Sequence, residues 1–544
     1  MICRVILLVL LSAPALFAGQ LGININFAER GGTFVDIVKE ENRWNGADGS
    51  RPLGPGQVDR QGWPRVDAQF VVDYRPVAEW SGGIDDPAAY RIDASGRYKC
   101  SFVGSAEVRG IAGGSVRNKA YDPASNLTTF DFIVMGPPAA NHGLIIIGFT
   151  KTRRTASGRE GSGFRSFRML RPGYSLSAKK TFTGKFISAL TGIKFSTIRF
   201  MNFTMANDCD PDYPRQTKWA NRKRKEDASQ NRIPSLGKND GAAWEYVIEL
   251  CNLVKMDPWI NIPVSADREY IRETARLFRA NLDPGRNIYV ESSNEVWNTA
   301  PGFGQSRYNK AQAKALGIGE HENHARRTVE IAGIFAQVFG REALNRRVRV
   351  VLCSHQPMLK WWVMPMLDYI SRNYGRPKDF IYAIACQTYY GGGRGNGKNA
   401  DEILTGCKSS IISQIDETGK TNEAGRRQWI NVARRMGLAG GFCSYEGGPD
   451  HGGGDTANIA NRIRAERDTR MGDIWKFNFD DAFFQIGGNL AMQFTLSSVY
   501  SRYGCWGLTD DIARPDRNGK YKAAKLLAEK CQAKAAPAAG SLKK

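Results

Sequence analysis

The run Asn287-Ile-Tyr-Val-Glu-Ser-Ser-Asn-Glu295 (NIYVESSNE) fixes how the rest of the chain is read. Its apolar first half reads as a short buried strand, and the polar residues that close it mark the passage into a loop. Before it lies the amphipathic segment EYIRETARLFRANL, with apolar residues at helical spacing; after it comes the helical ARRTVEIAGIFAQVFG. A strand framed by helices is the repeating unit of a parallel α/β sheet.

The same unit recurs in both directions. Upstream are the strand over residues 195–203, the helix GAAWEYVIELCNLVKM and the strand PWINIPVS. Downstream are the strands RVRVVLCSH, FIYAIACQTYY, AGGFCSYEGG and LAMQFTLSS, with helical stretches between them and KYKAAKLLAEK at the end. With LGININ as the first strand the series reaches eight, which predicts an α/β fold of the (β/α)8 TIM-barrel class rather than an open doubly wound sheet. No GxGxxG or GxxxxGK[ST] loop opens a helix, which argues against a dinucleotide or P-loop site.

From Pro64 to Pro172 the texture changes to short alternating runs (YKCSFVGSAEVRGI, LTTFDFIVM, GLIIIGFTKT) divided by turn residues. This predicts an additional all-β, sandwich-like domain inserted near the N-terminus. The expected organisation is a signal peptide over 1–19, a first barrel strand and long loop over 20–63, the sandwich over 64–172, the catalytic barrel over 173–531 and a disordered tail over 532–544. The signal reading rests on MICRVILLVLLSAPALFAG, an early Arg followed by an apolar run and small residues, which predicts a secreted protein without a membrane anchor.

The formal net charge is +22. The basic residues are spread along the chain and no helix-turn-helix, zinc-finger or RRM signature accompanies them, so nucleic acid is not expected as a partner. An acidic polysaccharide, or a basic surface without substrate meaning, accounts better for the charge. Nine cysteines follow the signal segment, several in apolar strands such as VVLCSH and AIACQT, where buried thiols are expected; some disulfides are also plausible. No Cys/His spacing suits a metal, and no cofactor is implied.

In such barrels functional groups stand at the C-terminal ends of the strands. Read in order, those ends offer Arg199 and Asn202, Asn294-Glu295, His355, Gln387 to Tyr390, Tyr445-Glu446 and Trp506. Two glutamates on separate strands suit glycosidic hydrolysis, in which one carboxyl protonates the leaving oxygen and the other attacks, or activates water, at the anomeric carbon.

The segments YVESSNEVWN and SYEGG resemble the fourth- and seventh-strand signatures of the large (β/α)8 clan of retaining glycoside hydrolases, which includes cellulases, mannanases and β-galactosidases. The resemblance implies cleavage of β-glycosidic bonds in a poly- or oligosaccharide, with Glu295 as general acid/base, Asn294 on the sugar 2-hydroxyl and Glu446 as nucleophile. It further implies Arg199 orienting the nucleophile, Tyr389 or Tyr390 hydrogen-bonding it, and Trp506 as the strand-eight aromatic beneath the sugar. The strand-six His-x-Tyr of that clan stands here as Gln387-Thr388-Tyr389. Trp297, Trp361 and Trp362 are candidates for stacking on sugar rings, and His355 for a substrate contact; core packing is the bland alternative for each. Glu291 reads equally as a capping or surface-pairing residue, and Glu322 and Glu330 as solvated helix positions. A non-catalytic carbohydrate-binding protein and a polysaccharide lyase are the competing expectations.

Overall fold

The computed structural model describes residues 19–29, 32–40, 43–75, 92–136, 143–207, 217–231, 241–393, 398–416 and 424–535. The segment expected to be a signal peptide lies outside the described residues apart from Gly19, as does the chain beyond Ala535. No helix among the described residues is long and apolar enough to cross a membrane.

The strands among the described residues are, in chain order, β1 (Gln20–Asn24), β2 (Arg43–Gly46), β3 (Ala68–Asp73), β4 (Gly96–Val103), β5 (Ser105–Ala112), β6 (Ser115–Asp122), β7 (Leu127–Val134), β8 (Leu144–Arg153), β9 (Arg165–Leu170), β10 (Thr197–Arg199), β11 (Asp257–Ile262), β12 (Ile288–Ser292), β13 (Val348–Cys353), β14 (Ala383–Tyr390), β15 (Gly441–Pro449) and β16 (Leu490–Gln493). β1 and β10 to β16 close, in that order, into an eight-stranded parallel barrel. This is the (β/α)8 fold expected from the strand count.

Period-two alternation divides the barrel's apolar residues into two cores. Ile198, Ile260, Ile288, Val290, Val350, Ile384 and Phe442 face the surrounding helices. Trp259, Tyr289, Val351, Ala383, Ala385, Cys443 and Met492 fill the interior. Gly22 shows how tight that interior is: a Cβ there would lie 2.2 Å from the Met492 sulfur. The helical layer forms by ordinary local rules. In the helix Arg268–Asn281, Asp267 accepts the N-terminal amide of Tyr270, and Tyr270, Ile271, Thr274, Ala275 and Phe278 make one buried stripe.

Between β1 and β10 stands the β-sandwich, of sheets β2-β3-β8-β5 and β6-β7-β4-β9. Its core is dense in aromatic rings, with Phe149 within 5.5 Å of Phe102, Phe164 and Phe167. The sandwich starts earlier than the expected boundary at Pro64. Arg43–Gly46 pairs antiparallel with β3, and Ile37, Val38, Trp44, Leu53 and Trp63 belong to the sandwich core. The tail also differs: the last helix, Gly519–Ala535, runs through residues 532–535.

Because the insert leaves the barrel at the C-terminal end of β1, it sits over the face where functional groups gather. It is bonded to the loop that follows β10. The Lys39 ammonium donates to the carbonyls of Lys225 (2.8 Å) and Asp227 (2.6 Å), and the Ala228 amide donates to the Gln61 carbonyl (2.8 Å).

The eight described cysteines are buried free thiols. Glu330 is not a solvated helix position: it takes Arg268 at 2.6 Å and Arg327 at 2.8 Å. The Glu322 carboxylate accepts the Gly319 amide and caps the helix Glu320–Phe339.

Candidate active site

The chemistry-bearing residues meet around Arg199, the last residue of β10. Its guanidinium is fully buried and donates in four directions: to Glu446 Oε1 at 2.6 Å, to both oxygens of Glu291 at 2.9 and 3.0 Å, to Asn294 Oδ1 at 2.8 Å and to Asn24 Oδ1 at 3.1 Å. The rings of Tyr445 (5.1 Å) and Trp259 (5.9 Å) lie against it, so the cation is held by both charge and π-faces. Burial opposes this charge, but Glu291 and Glu446 more than offset the cost and hold the guanidinium above its ordinary pKa.

Glu446 lies on β15, where the period-two rule alone would turn it outward, since Phe442 faces out and Cys443 in. A register shift changes this. Cys386 pairs with Ser444 but Gln387 pairs with Glu446, so Tyr445 is an extra residue in the strand. The bulge lets Tyr445 and Glu446 both reach the barrel mouth. Glu446 Oε2 accepts the Tyr389 hydroxyl at 3.0 Å, which leaves each carboxylate oxygen with one strong donor. Burial pushes the Glu446 carboxyl up to about 7, against the lowering effect of Arg199; the Glu295 charge adds to the rise, and the Arg199 and Tyr389 hydrogen bonds oppose it.

Glu295 follows β12 in a turn whose backbone is unusual. Ser293 and Glu295 take φ of 62° and 38°, left-handed conformations that non-glycine residues rarely adopt. Asn261 pins the turn by donating to the Ser293 carbonyl at 2.7 Å. The half-buried Glu295 carboxyl accepts the Tyr445 hydroxyl at 2.9 Å and the Asn298 amide at 2.8 Å. Tyr445 thus links the two glutamates: its ring rests on the cation that binds Glu446, and its hydroxyl holds Glu295. Burial, together with the charges of Glu295 and Glu446, keeps the Tyr445 phenol far above its ordinary pKa and therefore a donor.

Not every expected position converges here. Tyr389 faces the mouth, but Tyr390 does not: the alternation Ala383, Ala385, Gln387, Tyr389 points inward, and Tyr390 packs outward with its hydroxyl on the Met471 sulfur at 3.7 Å. Asn202 stitches the rim, donating to Asn26 Oδ1 at 2.9 Å, while Asn26 donates to the Ser497 carbonyl at 2.7 Å. His355 stands exposed beyond β13. Trp297 is half-buried and meets the Tyr445 ring edge-on at 6.2 Å. Trp361 is 59% exposed. Trp506 is not on the eighth barrel strand, which ends at Gln493; the aromatic there is Phe494, whose ring meets Tyr389 at 6.1 Å and Trp506 at 5.6 Å.

The main residue that sequence reasoning misplaced is Glu291. It is 1% exposed, lies inside the barrel and also accepts the Trp259 indole N–H at 2.8 Å. The alternation Tyr289-in, Val290-out carried that signal. Among the described residues no group of three His, Cys, Asp or Glu side chains is arranged to hold a metal.

No model of a known protein family matches the chain, and no curated protein does. Solved structures do resemble it. An arabinose-bound GH51 α-L-arabinofuranosidase shares 11% identity at a TM-score of 0.49, over 95% of this chain and 82% of its own. An endo-1,4-β-D-xylanase 10B of Clostridium thermocellum, complexed with xylohexaose, shares 11% at 0.34 over 88% and 97%. The structure of two fungal β-1,4-galactanases shares 13% at 0.33 over 64% and 92%.

Proposed function

We propose that the chain is a secreted glycoside hydrolase that cleaves β-glycosidic bonds of a poly- or oligosaccharide with retention of configuration, Glu446 acting as nucleophile and Glu295 as general acid/base. The observation that carries this reading is the unequal anchoring of two glutamates around one residue, Tyr445. Glu446 is clamped by Arg199 and Tyr389, so neither oxygen swings freely, as suits a group that must attack along one line. Glu295 is half-buried and held by a phenol and an amide, as suits a group that exchanges a proton first with a leaving oxygen and then with water.

In the first step the ionised Glu446 oxygen forms a bond to the anomeric carbon while the carbon–oxygen bond to the leaving group breaks; Glu295 gives its proton to that oxygen. In the second, Glu295 takes a proton from water, the water oxygen bonds to the anomeric carbon, and the ester to Glu446 breaks. Asn294 Oδ1 is held by Arg199 and its amide donates to Asn207 at 2.8 Å, which orients the second N–H for a sugar hydroxyl.

Glu295→Gln tests the assignment. With an unactivated leaving group kcat is expected to fall about 10²- to 10⁴-fold, the usual contribution of a positioned proton donor. With a dinitrophenolate leaving group, which departs without a proton, the first step is spared and the glycosyl-enzyme accumulates as a burst. Full activity on an unactivated glycoside would overturn the proposal.

The pH profile supplies a second expectation. Glu446 must be ionised to attack, and its pKa in the free protein is raised to about 7, chiefly by burial. Below that value the protonated form dominates, so kcat/KM is expected to fall about tenfold per pH unit from pH 7 downward. A kcat/KM flat from pH 5 to pH 7 would contradict it.

A further inference from the structure

The sandwich carries a basin that the chemistry of the barrel mouth does not use. Arg60, Arg65, Arg154 and Arg159 line it together with Asp59 and Ser162, around a volume of about 510 Å³. Two loops form it, the turn that precedes β3 and the connection from β8 to β9. Both are built rigidly. Asp59 Oδ1 accepts the backbone amides of Gln61 (2.8 Å) and Trp63 (3.0 Å), and its other oxygen takes the Arg154 guanidinium. Arg154 also donates to the Pro64 carbonyl at 3.0 Å, and its own amide donates to Ser162 Oγ at 3.1 Å. Gly163 brings the two loops into contact, because a Cβ there would lie 2.1 Å from the Pro64 carbonyl oxygen.

Arg154 and Asp59 are thereby spent on each other. The remaining guanidiniums, of Arg60, Arg65 and Arg159, are exposed and make no hydrogen bond or ion pair among the described residues. Three like charges around one concavity repel one another, and an anion placed among them removes that repulsion. Arginine is suited to the task, since its planar fork matches carboxylate and sulfate oxygens in pairs. The basin offers charge without stacking: Trp63, the nearest indole in the turn, is only 4% exposed. A single nucleic-acid strand would call for an aromatic platform and a duplex for an element that enters a groove, and the basin has neither. Its position also matters. The Gln61 carbonyl is bonded to the Ala228 amide of the loop after β10, so the basin is tied to the rim of the barrel face that bears Glu295 and Glu446.

We propose that this basin binds the carboxylate or sulfate groups of an acidic polysaccharide and holds the polymer on the insert while a neighbouring stretch enters the barrel mouth. Only the second clause rests on the glycosidase reading. The test uses the full chain carrying Glu446→Gln, so that turnover does not confuse binding, in affinity electrophoresis against polygalacturonate, dextran sulfate, duplex DNA and neutral dextran. Retention by one or both anionic polymers is expected, weakening from about 50 to about 300 mM NaCl as screening grows, with none by dextran. The two anionic arms tell carboxylate from sulfate. Adding Arg60→Gln, Arg65→Gln and Arg159→Gln should weaken retention about tenfold or more. In the chain with Glu446 intact, the three substitutions should leave the unfolding temperature and hydrolysis of a small neutral chromogenic glycoside unchanged. Undiminished retention of the triple variant, no retention by either polyanion, or stronger retention on duplex DNA than on both overturns the proposal. If no glycoside is hydrolysed while retention behaves as stated, the glycosidase reading fails and the basin stands.

Discussion

A Glu446→Gly variant is expected to lose more than roughly 10⁴-fold in turnover, as when a covalent nucleophile is removed elsewhere, and to recover part of it when azide is added. The recovery follows from what the substitution leaves behind. Arg199 retains Glu291, Asn294 and Asn24 as partners, so its guanidinium stays charged and in place. The Nη1 donor that had bound Glu446 then faces an empty space of about carboxylate size, and the Tyr389 hydroxyl faces it from the other side. A small anion is drawn to that point, on the side of the anomeric carbon from which Glu446 attacks. The product identifies the residue. Azide replacing the nucleophile displaces the leaving group once and gives a glycosyl azide of configuration opposite to the substrate. Azide rescuing a Glu295→Ala variant intercepts the glycosyl-enzyme and gives the same configuration. Mass and NMR analysis of the two azides reads this directly, and a retained azide from the Glu446 variant would exchange the two roles.

The parts of this arrangement that follow simple periodicity were open to sequence reading. Eight apolar strands with helices between them carry the barrel, and strand ends carry Arg199 and Tyr389, because side chains alternate and strands stop where polar residues collect; Glu295 and Glu446 were legible from the segments YVESSNEVWN and SYEGG instead. What escaped depends on departures from that pattern. The bulge at Tyr445 is invisible to a period of two, yet it brings Glu446 to the mouth and makes Tyr445 the bridge to Glu295. Glu291 obeys the period and points inward with Tyr289, but a carboxylate inside a barrel makes sense only once Arg199 and Trp259 are known to meet it. The sandwich begins before Pro64 because Trp44, Leu53 and Trp63 stand singly among Gly, Pro, Asp and Arg, so no run of apolar residues announces the core they join. Tyr389 and Tyr390 are adjacent and chemically alike, and only the register of β14 separates a donor to Glu446 from a ring packed against the helices.

The Arg199→Met variant is expected to show the largest loss of stability, with a pH dependence that reports its cause. Wild-type Arg199 is the cation between two buried carboxylates, Glu291 and Glu446. Without it the titratable groups facing that pair include Tyr389, Tyr445 and the Cys353 thiol, all neutral, and Glu295, a further acid, beside the Trp259 indole. Glu446 then faces burial and the Glu295 charge without its main counter-charge, so its folded pKa rises further. Glu446 already stands at about 7 with the arginine present, and its unfolded value is 4.5. Wild type already carries the penalty that builds between the unfolded pKa and about 7, so the variant's extra loss from Glu446 opens above about pH 7 and grows until pH exceeds its further-raised folded value. The destabilisation is therefore expected to be smaller at pH 6 than at pH 8, where it approaches about 3–5 kcal/mol, the usual cost of stripping one partner from a buried ion pair. Denaturant unfolding at the two pH values measures it. A loss of equal size at both would assign the effect to packing. Adding Glu291→Gln to Arg199→Met removes one of the stranded acids and should return part of the stability at pH 8, whereas Glu291→Gln alone frees Arg199 for Glu446, lowers the Glu446 pKa and moves the acid limb of kcat/KM to lower pH. Opposite signs for the same substitution in the two backgrounds would tie the buried arginine, the interior glutamate and the nucleophile into one electrostatic unit.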